Sequence, residues 1–332
     1  MTGAQISYED TDHHWRKDYI LGSGTYGTVY FASKLDSRLS LSPHSLSVAA
    51  VKSGSAYLSS LKEEGEILHE LRGCPEIVQC FGADISFENN RDVFNLLLEY
   101  APGGSLADLI KNKEGKMPES HIACYTYMLL KGLSHVHEKG FVHCDMKPDN
   151  ILVFPNEHGS TIHSLKIADF GLAKRSEEEE EFIPGSSSFN RGALLYASPE
   201  SISKGIHKPV TDIWSLGCII VEMITGKPLW TSRNARDLID EIKFGHPNIP
   251  KNISYCAEDF LKLCLIKNEY QRWTANMLLN HPFIFMNLSA LPLNFKNPVL
   301  PNPFGSDMQA YKLDLFSTPS KIEEPTDHSV YV

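Results

Sequence analysis

At 332 residues the chain is long enough for two modest domains or one large one, and 42% apolar with 22% charged residues is the balance of a packed globular protein, not of a disordered or membrane-embedded one. A formal net charge of −10 argues against an electrostatic grip on nucleic acid, which needs lysine and arginine to displace counterions from phosphates. Seven cysteines without metal-ligand spacing outline neither a disulfide framework nor a zinc site; with no signal-like N-terminus and no apolar run near the roughly 18 residues of a membrane span, a soluble protein of the cytosol or nucleus is expected.

Short β-rich runs come first: Asp18 to Leu21, Gly27 to Ser33, Ser47 to Lys52, Val78 to Asp84 and Val93 to Tyr100. They suit a small antiparallel sheet, interrupted by one helix over Tyr57 to Leu71, where Leu58, Leu61, Ile67, Leu68 and Leu71 approximate the helical period. The serine-rich LDSRLSLSPHSLS reads as an exposed hairpin connection. After Pro102, Gly103 and Gly104 the pattern turns helical. Glu119 to Glu138 carries Ile122, Tyr125, Leu129, Leu133 and Val136 on one stripe, and Asp212 to Thr225 is apolar nearly all round, as a central buried helix would be. From Leu288 to Val332 no periodicity is sustained, so this stretch reads as a tail. The expected organisation is an N-terminal extension (1–16), a β-rich lobe (17–101), a larger helical lobe (102–284) and the tail (285–332), an α+β arrangement.

Three groups of residues carry chemistry. The run Leu21, Gly22, Ser23, Gly24, Thr25, Tyr26, Gly27, Thr28, Val29 is a glycine-rich turn between strands, where backbone N–H groups can approach phosphate oxygens unobstructed. By itself it is also an ordinary hairpin turn; a dinucleotide site is disfavoured because a strand, not a helix, follows the glycines. Lys52 ends a later β run and Glu64 lies on the helix after it, so the lysine can contact nucleotide phosphates while the glutamate holds its ammonium. Taken singly, Lys52 would be a solvated surface lysine, and Glu63 and Glu66 are competing partners. The third group is His143-Cys144-Asp145-Met146-Lys147-Pro148-Asp149-Asn150, then a β run and Asp169-Phe170-Gly171. One carboxylate, Asp145, can orient an attacking hydroxyl, while Asp169 and the Asn150 amide hold Mg²⁺. Turns would explain each piece alone; their joint occurrence in this order is not explained that way.

With these motifs in place, residues 17 to 284 resemble a eukaryotic protein kinase, with its bilobal fold. The resemblance implies ATP and Mg²⁺ as cofactors. It also implies that Leu98-Glu99-Tyr100-Ala101 is a hinge pairing its backbone with adenine, with Leu98 guarding a back pocket, so Glu99 and Ala101 join the nucleotide-binding residues. Lys147 would be the Ser/Thr-type lysine that touches the transferred phosphate. Ser198-Pro199-Glu200 resembles the end of an activation segment, and Arg272 the buried partner of Glu200. Within the family, GGSLADLI, HCDMKPDN and RWTANMLLNHPF are most similar to plant MEKK-like MAP kinase kinase kinases, which implies a MAP kinase kinase as protein substrate.

Two departures stand out. Cys144 occupies the place where many members carry an arginine that receives an activation-loop phosphate, and Ala193 stands where a threonine usually bridges the catalytic aspartate and lysine. The contiguous glutamates 177 to 181 read as a solvated loop, with selection of basic acceptor peptides or mimicry of a phosphorylated loop as the alternatives. The rival to an active kinase is a nucleotide-binding pseudokinase or scaffold. Against it stand Lys52, Glu64, Asp145, Asn150 and Asp169, all present.

Overall fold

The computed structural model describes residues 15–24, 27–34, 48–55, 59–114, 117–156, 161–176, 194–232 and 234–291. Five antiparallel strands form the N-terminal sheet in the order β1-β2-β3-β5-β4: β1 Trp15–Gly24, β2 Gly27–Lys34, β3 Val48–Ser55, β4 Cys80–Glu88 and β5 Arg91–Leu98. The first strand begins earlier than composition suggested. Trp15 and Arg16, assigned above to an N-terminal extension, pair with Lys34 and Ser33, and the Trp15 ring is buried with its Nε1 donating to Asp84 at 2.9 Å.

Alternation along β3 divides the sheet's two faces. Ala49 and Val51 join Trp15, Ala32, Phe81 and Leu97 in a small apolar cluster, whereas Ala50 joins the main core. Polar side chains fill the remainder of the sheet interior. Asn95, fully buried, donates to Asp84 and to Ser86 and accepts from Ser53, while Ser86 and Lys17 both donate to Glu88. Helix α1, Ser59–Glu70, buries Leu61 and Leu68 against the sheet, one turn shorter in its described extent than the apolar pattern from Tyr57.

The chain leaves the sheet through Glu99–Gly104 and is clamped to the second lobe at once. Gly103 donates to the Val153 carbonyl at 3.0 Å and Val153 donates to the Gly104 carbonyl at 2.9 Å. A Cβ on Gly103 would stand 2.5 Å from that Val153 oxygen, so no other residue fits. Helix α2, Leu106–Lys113, starts with a reciprocal capping box between Ser105 and Asp108, which satisfies two of the N–H groups a helix start leaves open.

The helical lobe is organised around α3, Glu119–Glu138, and the helix Pro209–Thr225, here α5, preceded by the short α4, Pro199–Lys204. The stripe expected on α3 is too narrow: besides its five residues, Ala123, Cys124, Met128 and Leu130 are also buried, because neighbours cover the helix on several sides. In α5 every residue from Thr211 to Val221 is buried. Fully burying one leucine-sized side chain contributes roughly 1.5–3 kcal/mol, so this helix anchors the lobe. Close approach is required where Gly217 faces the end of the helix Tyr255–Cys264; a Cβ there would meet Leu265 and Cys264 at 2.8 and 2.9 Å. The stretch assigned to a tail from residue 285 begins inside the packed lobe: Leu288 and Leu291 lie against the core, and Cys124 Sγ donates to the Asn287 carbonyl at 3.6 Å. Residues 292–332 fall outside the described residues.

Candidate active site

The site forms where the sheet faces the helical lobe. Its roof is the β1–β2 hairpin, in which Gly24 pairs with Gly27 and Ser23 with Thr28; Thr25 and Tyr26 lie outside the described residues. Gly27 has φ +138°, and a Cβ on it would stand 2.4 Å from the Ser53 carbonyl oxygen, so glycine there is a requirement of the fold. Gly22 and Gly24 differ. A Cβ on either would meet no protein atom within 4 Å, so packing does not explain the missing side chains, and open space above the backbone is what a phosphate chain needs.

Lys52 on β3 reaches into the cleft and is held twice, by Glu64 Oε2 at 2.6 Å and by Asp169 Oδ1 at 2.7 Å. The glutamate is Glu64 and not its neighbours; Glu63 is exposed to solvent. Glu64 also accepts from the Phe170 N–H at 3.2 Å, which ties α1 to the segment Asp169–Gly171 of the other lobe. Burial by itself would lower the Lys52 pKa, but the combined pull of Glu64 and Asp169 leaves it raised. Burial pushes the Glu64 carboxyl up, against the opposing pull of the Lys52 ammonium. For Asp169 burial acts upward too, and Lys52 overrides it, holding that carboxyl below its ordinary value.

The second half of the site is a loop held by its backbone. Asp212, fully enclosed at the start of α5, accepts from the N–H of His143 at 2.9 Å, from the N–H of Cys144 at 3.1 Å and from His137 Nε2 at 2.8 Å. These bonds support left-handed backbone at Cys144, φ +65°; Asp169 is also left-handed, at φ +63°. Non-glycine residues hold such angles only where the surroundings over-determine them. His143 Nδ1 accepts from the Asp145 N–H and its Nε2 lies 3.0 Å from the Ala168 carbonyl, which fixes the proton on Nε2.

Out of this loop Asp145 presents its carboxylate, with Lys147 Nζ at 2.6 Å and Asn150 Nδ2 at 2.9 Å from the same oxygen, Oδ2. Asn150 spends its Nδ2 on Asp145, which leaves Oδ1 to face a cation. That oxygen and the Asp169 carboxylate are hard donors of the type that divalent cations such as Mg²⁺ take. No group of three or more His, Cys, Asp or Glu side chains among the described residues is placed to hold a metal alone. Two protein ligands completed by phosphate oxygens and water therefore fit this donor set.

At the hinge, Glu99 donates its N–H to the Gln79 carbonyl, and its carboxylate is turned away from the cleft onto Lys166 at 2.7 and 2.8 Å, both side chains fully buried. Glu99 can therefore meet a nucleotide only through its backbone carbonyl. The Ala101 carbonyl accepts from the Gly104 N–H at 3.3 Å. Leu21 and Val29 lie in the roof strands and Ala50 and Leu98 line up opposite each other on β3 and β5. Ala50 was not singled out from the sequence, although its position two residues before Lys52 on an alternating strand was the available signal. Asp212 reads from the sequence only as the start of the central helix, although an aspartate at the head of an apolar helix is the kind of buried charge that calls for partners. Glu200 and Arg272 form a bidentate buried pair, 2.5 and 3.1 Å, below the site. Glu177–Glu181 and Ala193 lie outside the described residues, while Arg175, just before them, bonds Glu70 of α1 at 2.7 Å and lies over the Phe141 ring at 4.7 Å.

Comparison with known proteins gives one family, the protein kinase domain, matched over residues 15–284. Among curated proteins the chain is 40% identical over 281 residues to mitogen-activated protein kinase kinase kinase 20 of Arabidopsis thaliana, covering 82% of this chain and 79% of that one. It is 36% identical to mitogen-activated protein kinase kinase kinase 17, with 81% and 69% covered, and 35% identical to number 18, with 82% and 77% covered, both from the same plant.

Proposed function

The chain belongs to the protein kinase family and is a serine/threonine protein kinase using ATP and a divalent cation; from that premise we propose that it acts as a MAP kinase kinase kinase, with Mg²⁺ as the cation and a MAP kinase kinase as the acceptor. What supports the tier is the 40% identity across four fifths of both chains to a kinase of that name. Lys147 on Asp145 Oδ2 supports hydroxyl acceptors of the serine and threonine kind.

In this reading Asp145 orients the acceptor hydroxyl and accepts its proton, and Lys147 neutralises charge on the phosphoryl group in transfer. Lys52, steadied by Glu64, would grip the nucleotide phosphates, which the open backbone at Gly22 and Gly24 leaves room for. Asn150 Oδ1 and the Asp169 carboxylate would hold Mg²⁺, which offsets the charge of the phosphate oxygens. Asp169 is bonded to Lys52 at 2.7 Å, so this carboxylate would serve the lysine as well as Mg²⁺.

The test is phosphate incorporation from radiolabelled ATP into a panel of purified MAP kinase kinases, with Asp145→Asn as the control. Transfer to one of them, absent in the control, is the expected result; transfer only to unrelated proteins would remove the assignment of tier. The metal ligands are tested by thermal shift. ATP should stabilise wild type more with Mg²⁺ than without, and Asp169→Ala should erase that increment, so an unchanged increment refutes the ligand set.

A further inference from the structure

Three aromatic side chains from distant parts of the chain meet at the outer edge of the cleft. Tyr19 of β1 pairs across the ladder with Phe31 of β2, and their rings stack at 4.8 Å and 9°. Phe31 meets Tyr100 of the hinge edge-on, at 4.9 Å and 84°. Phe31 is thus the common member, stacked on Tyr19 and edge-on to Tyr100; burial and then Tyr19 nearby raise the Tyr100 phenol. These are two of the favoured aromatic geometries at once.

The cluster is not part of the core. Tyr19 is 53% exposed, and Ile20 and Leu21 beside it are 60% and 42% exposed. β1 is also irregular there: its register slips between Lys17 and Tyr19 and again between Ile20 and Gly22, so Tyr19 and Ile20 are a short paired stretch between two irregularities. Such breaks let a strand bend and twist. The ring contacts join the strand leading into Leu21 and Gly22 to the strand leaving Val29, and both to Tyr100 in the segment Glu99–Ala101. Those are the roof and the back wall of the space that an adenine would enter.

We propose that Tyr19 and Phe31 are positioning residues for the nucleotide: acting through Tyr100, they set the separation between roof and hinge, and with it the affinity for the purine ring. They touch neither phosphate nor acceptor. The inference rests on the nucleotide reading above, and its test separates the two. Wild type, Tyr19→Ala, Phe31→Leu and Tyr19→Phe are compared for KM and kcat with ATP and, by calorimetry, for binding of adenosine, which lacks both phosphate and metal. In Tyr19→Ala and Phe31→Leu, KM for ATP and Kd for adenosine should rise together by about fivefold, in keeping with the worth of one or two aromatic pairs, while kcat at saturating ATP stays within about twofold. Tyr19→Phe, which keeps the stack and loses only the hydroxyl, should recover most of the affinity. Unchanged adenosine binding in both Tyr19→Ala and Phe31→Leu, with melting temperatures equal to wild type, overturns the proposal, as does a fall in kcat at constant KM. Failure of wild type itself to bind adenosine overturns instead the nucleotide reading.

Discussion

On the sheet face that carries Trp15, six apolar residues share the space with a hydrogen-bonded chain running from Trp15 through Asp84, Asn95 and Ser86 to Glu88 and Lys17, whereas the main core, which takes the other sheet face and the helical lobe, is packed with aliphatic and aromatic side chains and admits charge chiefly as Asp212 and the Glu200–Arg272 and Glu99–Lys166 pairs. The two interiors hold their shape by different means. A close-packed apolar interior resists any displacement because every shift opens voids or clashes. A polar chain resists chiefly changes in its own bond lengths and angles and brings less apolar burial per residue. The catalytic loop hangs from the first kind of interior and the nucleotide roof from the second. The acceptor chemistry therefore sits on the stiffer support.

Substitutions can break this contrast, and the largest effect belongs to the loop. Asp145→Asn should lower phosphate transfer by about 10²–10⁴-fold with an unchanged melting temperature, since the amide keeps the shape and loses the proton acceptor. Lys52→Met should be comparably inactive. A folded Asp145→Asn protein with normal turnover would remove Asp145 from the mechanism.

Next in size is the helical interior. Arg272→Ala strands the Glu200 carboxylate, buried at 3% exposure, and should cost about 3–5 kcal/mol in urea unfolding. In the sheet, Asn95→Ala removes the hub of the polar chain and leaves Ser53 without its acceptor, for a smaller loss of about 1–3 kcal/mol. Hydrogen exchange should then quicken in β3, β4 and β5 and stay slow in α3 and α5; equal acceleration in both lobes would contradict the separation of the two interiors.

The smallest effect is on pH dependence. Lys52 holds the Asp169 carboxyl below its ordinary value, so its contribution is complete above the unfolded pKa, about 3.9, and is lost as pH falls through the lower native value. Stability of Asp169→Asn and wild type should differ by a constant amount above about pH 5 and converge in more acid solution. A gap that widens with acid would mean that the carboxyl is not depressed.

Much of the site was legible because kinase chemistry concentrates in short contiguous motifs. Gly22 to Val29, His143 to Asn150 and Asp169 to Gly171 each carry their meaning within a few residues, whereas the bond from Lys52 to Asp169, 117 residues on, has no such local sign. What escaped depends on partners far along the chain. Trp15 reads as part of a polar N-terminus until Asp84, 69 residues on, accepts its indole N–H. Asn95 looks like an outward residue of a strand and Ser86 falls beyond the run that ends at Asp84, since alternation reports polarity and not which polar groups will satisfy one another. The Tyr19, Phe31 and Tyr100 cluster has no local signature at all. On α3 a stripe was visible, but burial on several faces is decided by the elements that pack around it.

Position 144 is held by what its backbone does. Its N–H is fixed by Asp212 at 3.1 Å and its φ is +65°, while the thiol makes a long contact of 3.4 Å with the Val142 carbonyl. Loop shape and side-chain identity are thus uncoupled at a residue adjacent to the catalytic carboxylate. A different side chain at 144 would therefore leave in place the backbone bonds to Asp212 that aim Asp145.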